Sequence, residues 1–197
     1  MAYRAAASTL RAAGAGIAVL AAVGSASAQY PVMVFGGGYA RSCYEAVKEQ
    51  RLTPPKILEI CDIALAQERL SKSNRAATLI NRGILHMREQ RHERAMQDYQ
   101  AAIKLSPGMP EARINLGAMF YYLGRYADAV AALDEGVKVE DKHARAAAYY
   151  NRAIAQEQLG NVEAAYSDYR SALAIEPDFD AAARQLARFA VIPASGS

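Results

Sequence analysis

Small, apolar and aromatic residues recur along the middle of the chain at nearly constant intervals. Each unit has an Asn two residues before a small residue, at Asn81, Asn115 and Asn151. Three further positions follow at fixed distances in each unit, namely Ala95, Tyr99 and Ala102; Ala129, Leu133 and Gly136; and Ala165, Tyr169 and Ala172. The units are 34 and then 36 residues apart, which predicts a repeated supersecondary structure.

The residue types within one unit predict a pair of antiparallel helices. Small side chains at Gly83, Ala95 and Ala102 allow the two helices to approach closely, and Tyr99 fills the space between them. A proline such as Pro107 cannot continue a helix and so ends the second one. Each pair retains an apolar face, so neighbouring pairs are expected to stack.

These positions resemble the tetratricopeptide repeat, whose pattern places small residues and an aromatic residue at the same distances and a proline at the end. Gln90 departs from the pattern, because it replaces the turn glycine that Gly124 and Gly160 supply. The resemblance implies an all-α, right-handed solenoid. Its expected parts are repeats at 76–109, 110–145 and 146–177, a degenerate hairpin at 40–73, and a capping helix at 178–190 that Asp178 begins.

The first 28 residues have the layout of a secretory signal peptide. Arg4 and Arg11 precede an apolar run at 12–23, and Ala26-Ser27-Ala28 is a cleavage signal. The alternative is a retained anchor, but the run is short and rich in Ala for a hydrocarbon core of about 30 Å. We therefore expect an exported protein in the periplasm, without membrane insertion after cleavage.

The segment at 29–39 fits neither the repeat nor a helix. It contains the apolar run Val32 to Phe35 and three glycines at 36–38, which predict a flexible or extended arm. An exposed apolar arm is unusual, so it either packs on the solenoid or joins a partner. The tail at 191–197 is expected to be disordered.

Cys43 and Cys61 are the only cysteines in the chain. If the predicted hairpin turns near Leu52, they lie side by side on opposite helices. An oxidising compartment then favours a disulfide that clamps the hairpin. The alternatives are two free thiols or a metal site, and a four-ligand metal site is disfavoured without a nearby His.

Candidate chemistry is sparse. The histidines, His86, His92 and His143, lack the spacing of a metal-binding helix, and no phosphate-binding loop or nucleophile elbow is present. Without residues 1–28 the net charge falls from +3 to about +1, since only Arg4 and Arg11 are lost; this gives little support for nucleic-acid binding. We predict a protein that is not an enzyme and needs no cofactor or metal.

The resemblance implies that the first helices of the repeats line a concave groove that binds peptides. The expected lining residues are Ile80, Asn81, Ile84, Met87, Arg88, Ile114, Asn115, Ala118, Tyr121, Tyr122, Tyr150, Asn151, Ile154, Glu157 and Gln158. Arg88 is nearly the only cation, which disfavours a clamp for peptide carboxylates. The Asn residues are candidates to hold a partner's backbone, and Tyr offers contact area with a polar tip. The alternative is that Ile and Tyr pack against neighbouring helices.

The leading hypothesis is a periplasmic scaffold that binds an apolar or aromatic segment of another protein, such as an envelope-assembly factor or a protease. The alternative is a self-associating structural protein of the cell envelope, with the groove or the arm joining copies in a homo-oligomer.

Overall fold

The structure, a computed structural model, describes residues 30–49 and 54–189, which contain helices and no strand. The predicted signal peptide and C-terminal tail lie outside these residues. The helices are α1 (Tyr39–Glu49), α2 (Pro54–Gln67), α3 (Lys72–Arg88), α4 (His92–Leu105), α5 (Glu111–Tyr122), α6 (Tyr126–Gly136), α7 (Lys142–Gln158), α8 (Val162–Ile175) and α9 (Asp180–Leu186). Within the described part of the chain, no helix combines the length and the apolar character that crossing a membrane requires.

Consecutive helices pack as pairs, in the order that the repeat predicts. The pairs are α1 with α2, α3 with α4, α5 with α6, and α7 with α8, and α9 packs on α8. The first helices of neighbouring pairs also touch, α1 with α3, α3 with α5, and α5 with α7. They therefore form one continuous row.

Close approach within a pair depends on glycine at two equivalent positions. A Cβ atom added at Gly83 would lie 2.5 Å from the ring of Tyr99. A Cβ atom added at Gly117 would lie 2.5 Å from Leu133. The predicted roles of Gly83 and Tyr99 in the first pair are confirmed.

The turns inside the three pairs share one geometry. Gly124 and Gly160 have φ values of 73° and 77°, and Gln90 adopts the same left-handed conformation with φ 57°. The N–H group after each of these residues donates to a carbonyl five residues earlier, for example from Arg91 to His86 at 2.8 Å. This bond closes the end of the first helix.

The ends of several helices follow from single residues. The Ser71 side chain accepts from the Asn74 N–H at the start of α3, and Asp141 does the same for Ala144 at the start of α7. The predicted cap by Asp178 is wrong. The residue that precedes α9 is Phe179, and the backbone carbonyl of Asp178 accepts from Asp180, so its side chain comes one residue too early.

A disulfide joins α1 to α2. Cys43 and Cys61 are bonded, with their Cα atoms 5.0 Å apart, and both are fully buried. The predicted pairing is confirmed, and it fixes the hairpin that precedes the repeats.

Candidate peptide-binding groove

Residues 30–35 lie along the row of first helices as an extended segment. We call these residues the docked segment, and we call the surface of α3 and α5 beneath them the groove. Val32 and Val34 are 8% and 1% exposed, whereas Met33 and Phe35 are 50% and 73% exposed. This alternation is that of a strand with one buried face.

Asparagine side chains hold the backbone of the docked segment. Asn81 accepts from the N–H of Val32 at 2.8 Å and donates to its carbonyl at 2.8 Å. Asn115 forms the same two bonds with Tyr30, at 2.7 Å and 3.0 Å. Each amide thus satisfies both backbone groups of one residue, as a neighbouring strand would.

A third asparagine holds the end of the docked segment. Asn74 accepts from the N–H of Phe35 at 3.2 Å and donates to its carbonyl at 2.6 Å. Asn74 and Asn81 lie on α3, and Asn115 lies on α5. The docked segment therefore runs from the second repeat towards the first, against the order of the repeats.

The hydroxyl of Tyr30 reaches the start of α7. It donates to Asp141 Oδ1 at 2.8 Å, and the same oxygen accepts from the Ala144 N–H. Burial and then this hydrogen bond raise the pKa of Tyr30 above its usual range. The Ala144 N–H is the main cause that lowers the pKa of Asp141. Tyr30 thus stays a hydroxyl donor to a carboxylate at neutral pH.

Three glycines connect the docked segment to α1. A Cβ atom would meet nothing within 4 Å at Gly36 or Gly37. Gly38 has φ 88°, and a Cβ atom there would clash with Glu68. The Glu68 carboxylate accepts from the N–H groups of Tyr39 and Ala40, which caps α1. The connection is therefore anchored on one side and open on the other.

The predicted lining residues divide by exposure. Eight are buried, namely Ile80, Asn81, Ile84, Ile114, Asn115, Ala118, Tyr150 and Asn151. Five are half-buried, namely Met87, Arg88, Tyr121, Ile154 and Glu157, and two, Tyr122 and Gln158, are exposed. Of these, Asn81 and Asn115 hold the docked segment directly.

Several of these side chains belong to the helix packing instead. Ile114 lies against Gly136 of α6, and Tyr150 stacks with Tyr169 and Phe179 at 5.9 Å and 5.2 Å. Arg88 donates to the carbonyl of Val47 at 3.2 Å, and burial lowers its pKa. The cation is thus directed at α1.

One arrangement escaped the sequence analysis. Arg82 binds both carboxylate oxygens of Asp98, at 2.9 Å and 2.6 Å, and also reaches Asp62 of the preceding pair. Arg152 and Asp168 repeat the same fork two units later. The sequence does indicate this ion pair, because the Arg and the Asp occur together in the first and third units. The unit between them has neither and carries Leu116 and Ala132 at the equivalent positions.

The described residues also bear on the candidate ligands. His86 is buried, and burial lowers its pKa. Within residues 30–49 and 54–189, no three His, Cys, Asp or Glu side chains come together as a set that would hold a metal ion.

Comparison with known families and proteins identifies the repeat. Sequence profiles of the tetratricopeptide repeat match residues 86–153 and 146–179. The photosystem I assembly protein Ycf3 of Acaryochloris marina is 32% identical over 92 residues, 47% of this chain and 52% of that protein. The human FK506-binding protein-like protein is 32% identical over 133 residues, 64% of this chain and 36% of that protein. The chain thus spans about half or less of these relatives.

Solved structures share the fold. MamA (residues 41 to the end) of Desulfovibrio magneticus RS-1 superposes with a TM-score of 0.61 at 20% identity, covering 76% of this chain and 82% of that one. The first such domain of Spaghetti (RPAP3), bound to the HSP90 peptide SRMEEVD, superposes with a TM-score of 0.56 at 23% identity, covering 59% and 90%. Both support an all-α fold of stacked helix pairs.

Proposed function

We propose that this chain, which is a tetratricopeptide-repeat protein, is a scaffold that binds an extended segment of a partner protein along its groove. One observation carries the proposal, namely that the groove holds an extended peptide backbone through paired asparagine amides. Tetratricopeptide-repeat proteins are generally interaction scaffolds without catalytic activity, and we propose the same here.

The contacts of the docked segment favour an apolar or neutral partner segment. Asn81 and Asn115 bind backbone groups, which every sequence carries, and the alternate side chains Val32 and Val34 are buried. This is how a strand added to a sheet edge is recognised. The related domain of RPAP3 was solved with an acidic HSP90 peptide. Here Arg88 is engaged by the carbonyl of Val47, so a carboxylate-binding role is not proposed.

We place the protein in the periplasm after removal of residues 1–28. The disulfide between Cys43 and Cys61 supports this proposal, because such bonds persist in oxidising compartments. Mass spectrometry of the protein from an envelope fraction is expected to give a chain that begins at Gln29. An intact N-terminus in that fraction would instead favour a retained anchor.

The scaffold proposal is tested by capturing the partner. Crosslinked pull-down from an envelope extract, followed by mass spectrometry, compares the wild type with Asn115→Ala, which lacks both amide bonds to the backbone. The matched control is Asn161→Ala, at an exposed Asn that contacts Gln156. Tyr150→Ala is unsuitable, because Tyr150 is buried against Tyr169 and Phe179.

Asn115 also binds Tyr30 of the docked segment, so each of the three proteins also carries Val32→Pro, which removes a bond of that segment to the groove. We then expect a partner that the proteins with Asn115 capture and that the folded Asn115→Ala variant captures several-fold less. Equal capture by all three proteins would contradict binding in the groove.

A further inference from the structure

The groove is occupied by the chain's own residues 30–35, at the place where we propose that a partner segment lies. We infer that the docked segment is an intramolecular competitor and that its sequence pattern identifies the partner segments that displace it. These are extended segments with β-branched aliphatic residues at alternate positions, preceded by a tyrosine. The inference rests on the proposed function.

The attachment of the docked segment allows it to leave as a unit. Gly36 and Gly37 stand clear of other residues, whereas Gly38 and α1 are fixed by Glu68. The boundary between the docked part and the anchored part therefore falls on two glycines that nothing packs against. Rotation there releases residues 30–35 without disturbing α1.

The hydrogen bonds to the groove also define which backbone N–H and carbonyl groups a ligand must provide. Tyr30 and Val32 each use their N–H and their carbonyl, while Pro31 between them has no N–H and needs none. A ligand therefore tolerates proline at the middle position and not at the two flanking ones. This rule follows from hydrogen bonding alone and is independent of side-chain fit.

The side chains add the specificity. Val32 and Val34 enter the apolar core formed with α3, and Tyr30 places its hydroxyl on Asp141. Met33 and Phe35 face outward, so the side chains at the corresponding positions of a ligand are unrestricted, although Asn74 also binds the backbone of Phe35. The expected ligand thus reads tyrosine, any residue, aliphatic, any residue, aliphatic.

Competition from the docked segment weakens the binding of an external segment to the groove. A segment on a short flexible tether acts at an effective concentration in the millimolar range, roughly, and an external ligand must exceed it. The apparent affinity falls by the fraction of molecules in which the groove is open.

The test uses a fluorescent peptide with the sequence of residues 30–38, titrated by anisotropy against the full chain. Val32→Pro in the protein removes the N–H that Asn81 accepts, while it keeps an apolar side chain of similar size. We expect this variant to bind the peptide at least tenfold more tightly than the wild type does. The matched control, Met33→Ala, changes an exposed residue and is expected to bind as the wild type does.

A second measurement does not depend on a variant. In wild-type protein labelled with ¹⁵N, excess unlabelled peptide is expected to expose the amide protons of Tyr30 and Val32 to exchange. A peptide with proline at the position of Val32 is expected to have no effect. Bound peptide that leaves both amides protected would overturn the inference.

Other outcomes are equally decisive. A folded Val32→Pro variant that binds the peptide no better than the wild type would overturn the inference. So would a concentration-dependent mass of the wild type that Val32→Pro abolishes, because the segment would then dock on a second copy. If partner capture still depends on Asn115, the scaffold proposal stands even when the peptide experiments overturn this inference. If partner capture does not depend on Asn115 and the peptide experiments also fail, both the scaffold proposal and this inference are refuted.

Discussion

At the scale of single residues, the turns show how one backbone geometry constrains sequence. Gly124 and Gly160 adopt positive φ at no steric cost, whereas Gln90 occupies the equivalent place with φ 57°. A left-handed conformation costs an L-residue with a side chain about 1–2 kcal/mol. The sequence shows that Gln90 stands where the other repeats have a turn glycine, and the repeat predicts the left-handed conformation of Gln90.

Gln90→Gly is therefore expected to stabilise the protein. Relief of the left-handed side chain outweighs the added freedom of glycine in the unfolded chain, for a net gain of about 1 kcal/mol in the free energy of unfolding. Urea denaturation measures the gain. Glu89→Gly is the matched control, because Glu89 has φ −89° and glycine there is expected to destabilise. A loss of stability in both variants would contradict the reading of Gln90.

At the scale of the elements, the helix pairs are predictable from the sequence, whereas the surface on which the extended segment docks is not. Small residues such as Gly83, with Tyr99 opposite, set the packing of a pair, and prolines set its end. The alternation of Val32 and Val34 indicates an extended segment but does not say what covers it. Docking depends not only on Asn81 and Asn115 but also on Asn74, which lies outside the repeated Asn positions.

The same limit applies to the predicted groove residues. Ile114 and Tyr150 carry the apolar or aromatic character expected of a binding face. However, Ile114 packs against α6, and Tyr150 packs against Tyr169 of α8 and against Phe179. A sequence pattern gives the register of a helix, whereas the neighbours on each side decide which apolar residues remain accessible. Two asparagines proved informative because a polar side chain at a buried position needs a partner.

The cap of α7 makes one helix sensitive to pH. The folded state lowers the pKa of Asp141, chiefly through the Ala144 N–H, so ionised Asp141 stabilises the fold. This contribution is present above the ordinary pKa of Asp, roughly 4, and is lost as the pH falls through the lower pKa of the folded state. Asp141→Asn cannot titrate, and it is expected to be less stable at pH 7 by under about 1 kcal/mol.

The difference between the two proteins is expected to shrink as the pH falls below about 4. Urea unfolding of both proteins across this range measures it. Asp178→Asn serves as the control, since Asp178 provides no helix cap. A difference that stays constant down to the lowest pH would refute the role of the charge.

At the scale of the whole molecule, stability arises from successive interfaces between adjacent helix pairs. Each helix pair contacts its neighbours along the row, and the disulfide clamps the first pair. In such stacked architectures each unit depends mainly on the adjacent ones. Damage at one end is therefore expected to remain near that end.

Removing the disulfide tests this locality. Cys43→Ala with Cys61→Ala opens a loop with a sequence separation of 18, and a loss of about 3 kcal/mol is expected. Hydrogen exchange is expected to rise in α1 and α2 and to change little in α7 and α8. Reduction of the wild type should reproduce this pattern. Uniform loss of protection along the chain would instead indicate one cooperative unit.

The docked segment belongs to the same polypeptide as the groove it fills, and this has a consequence for selectivity. Its occupancy is the same in a crowded compartment and in a dilute one, whereas the occupancy by any outside segment rises with that segment's abundance. The tether thus sets a fixed threshold of affinity and concentration, and segments below it do not displace the docked segment. Only a segment that is well matched or locally abundant displaces it, so the docked segment acts as a filter against weak contacts.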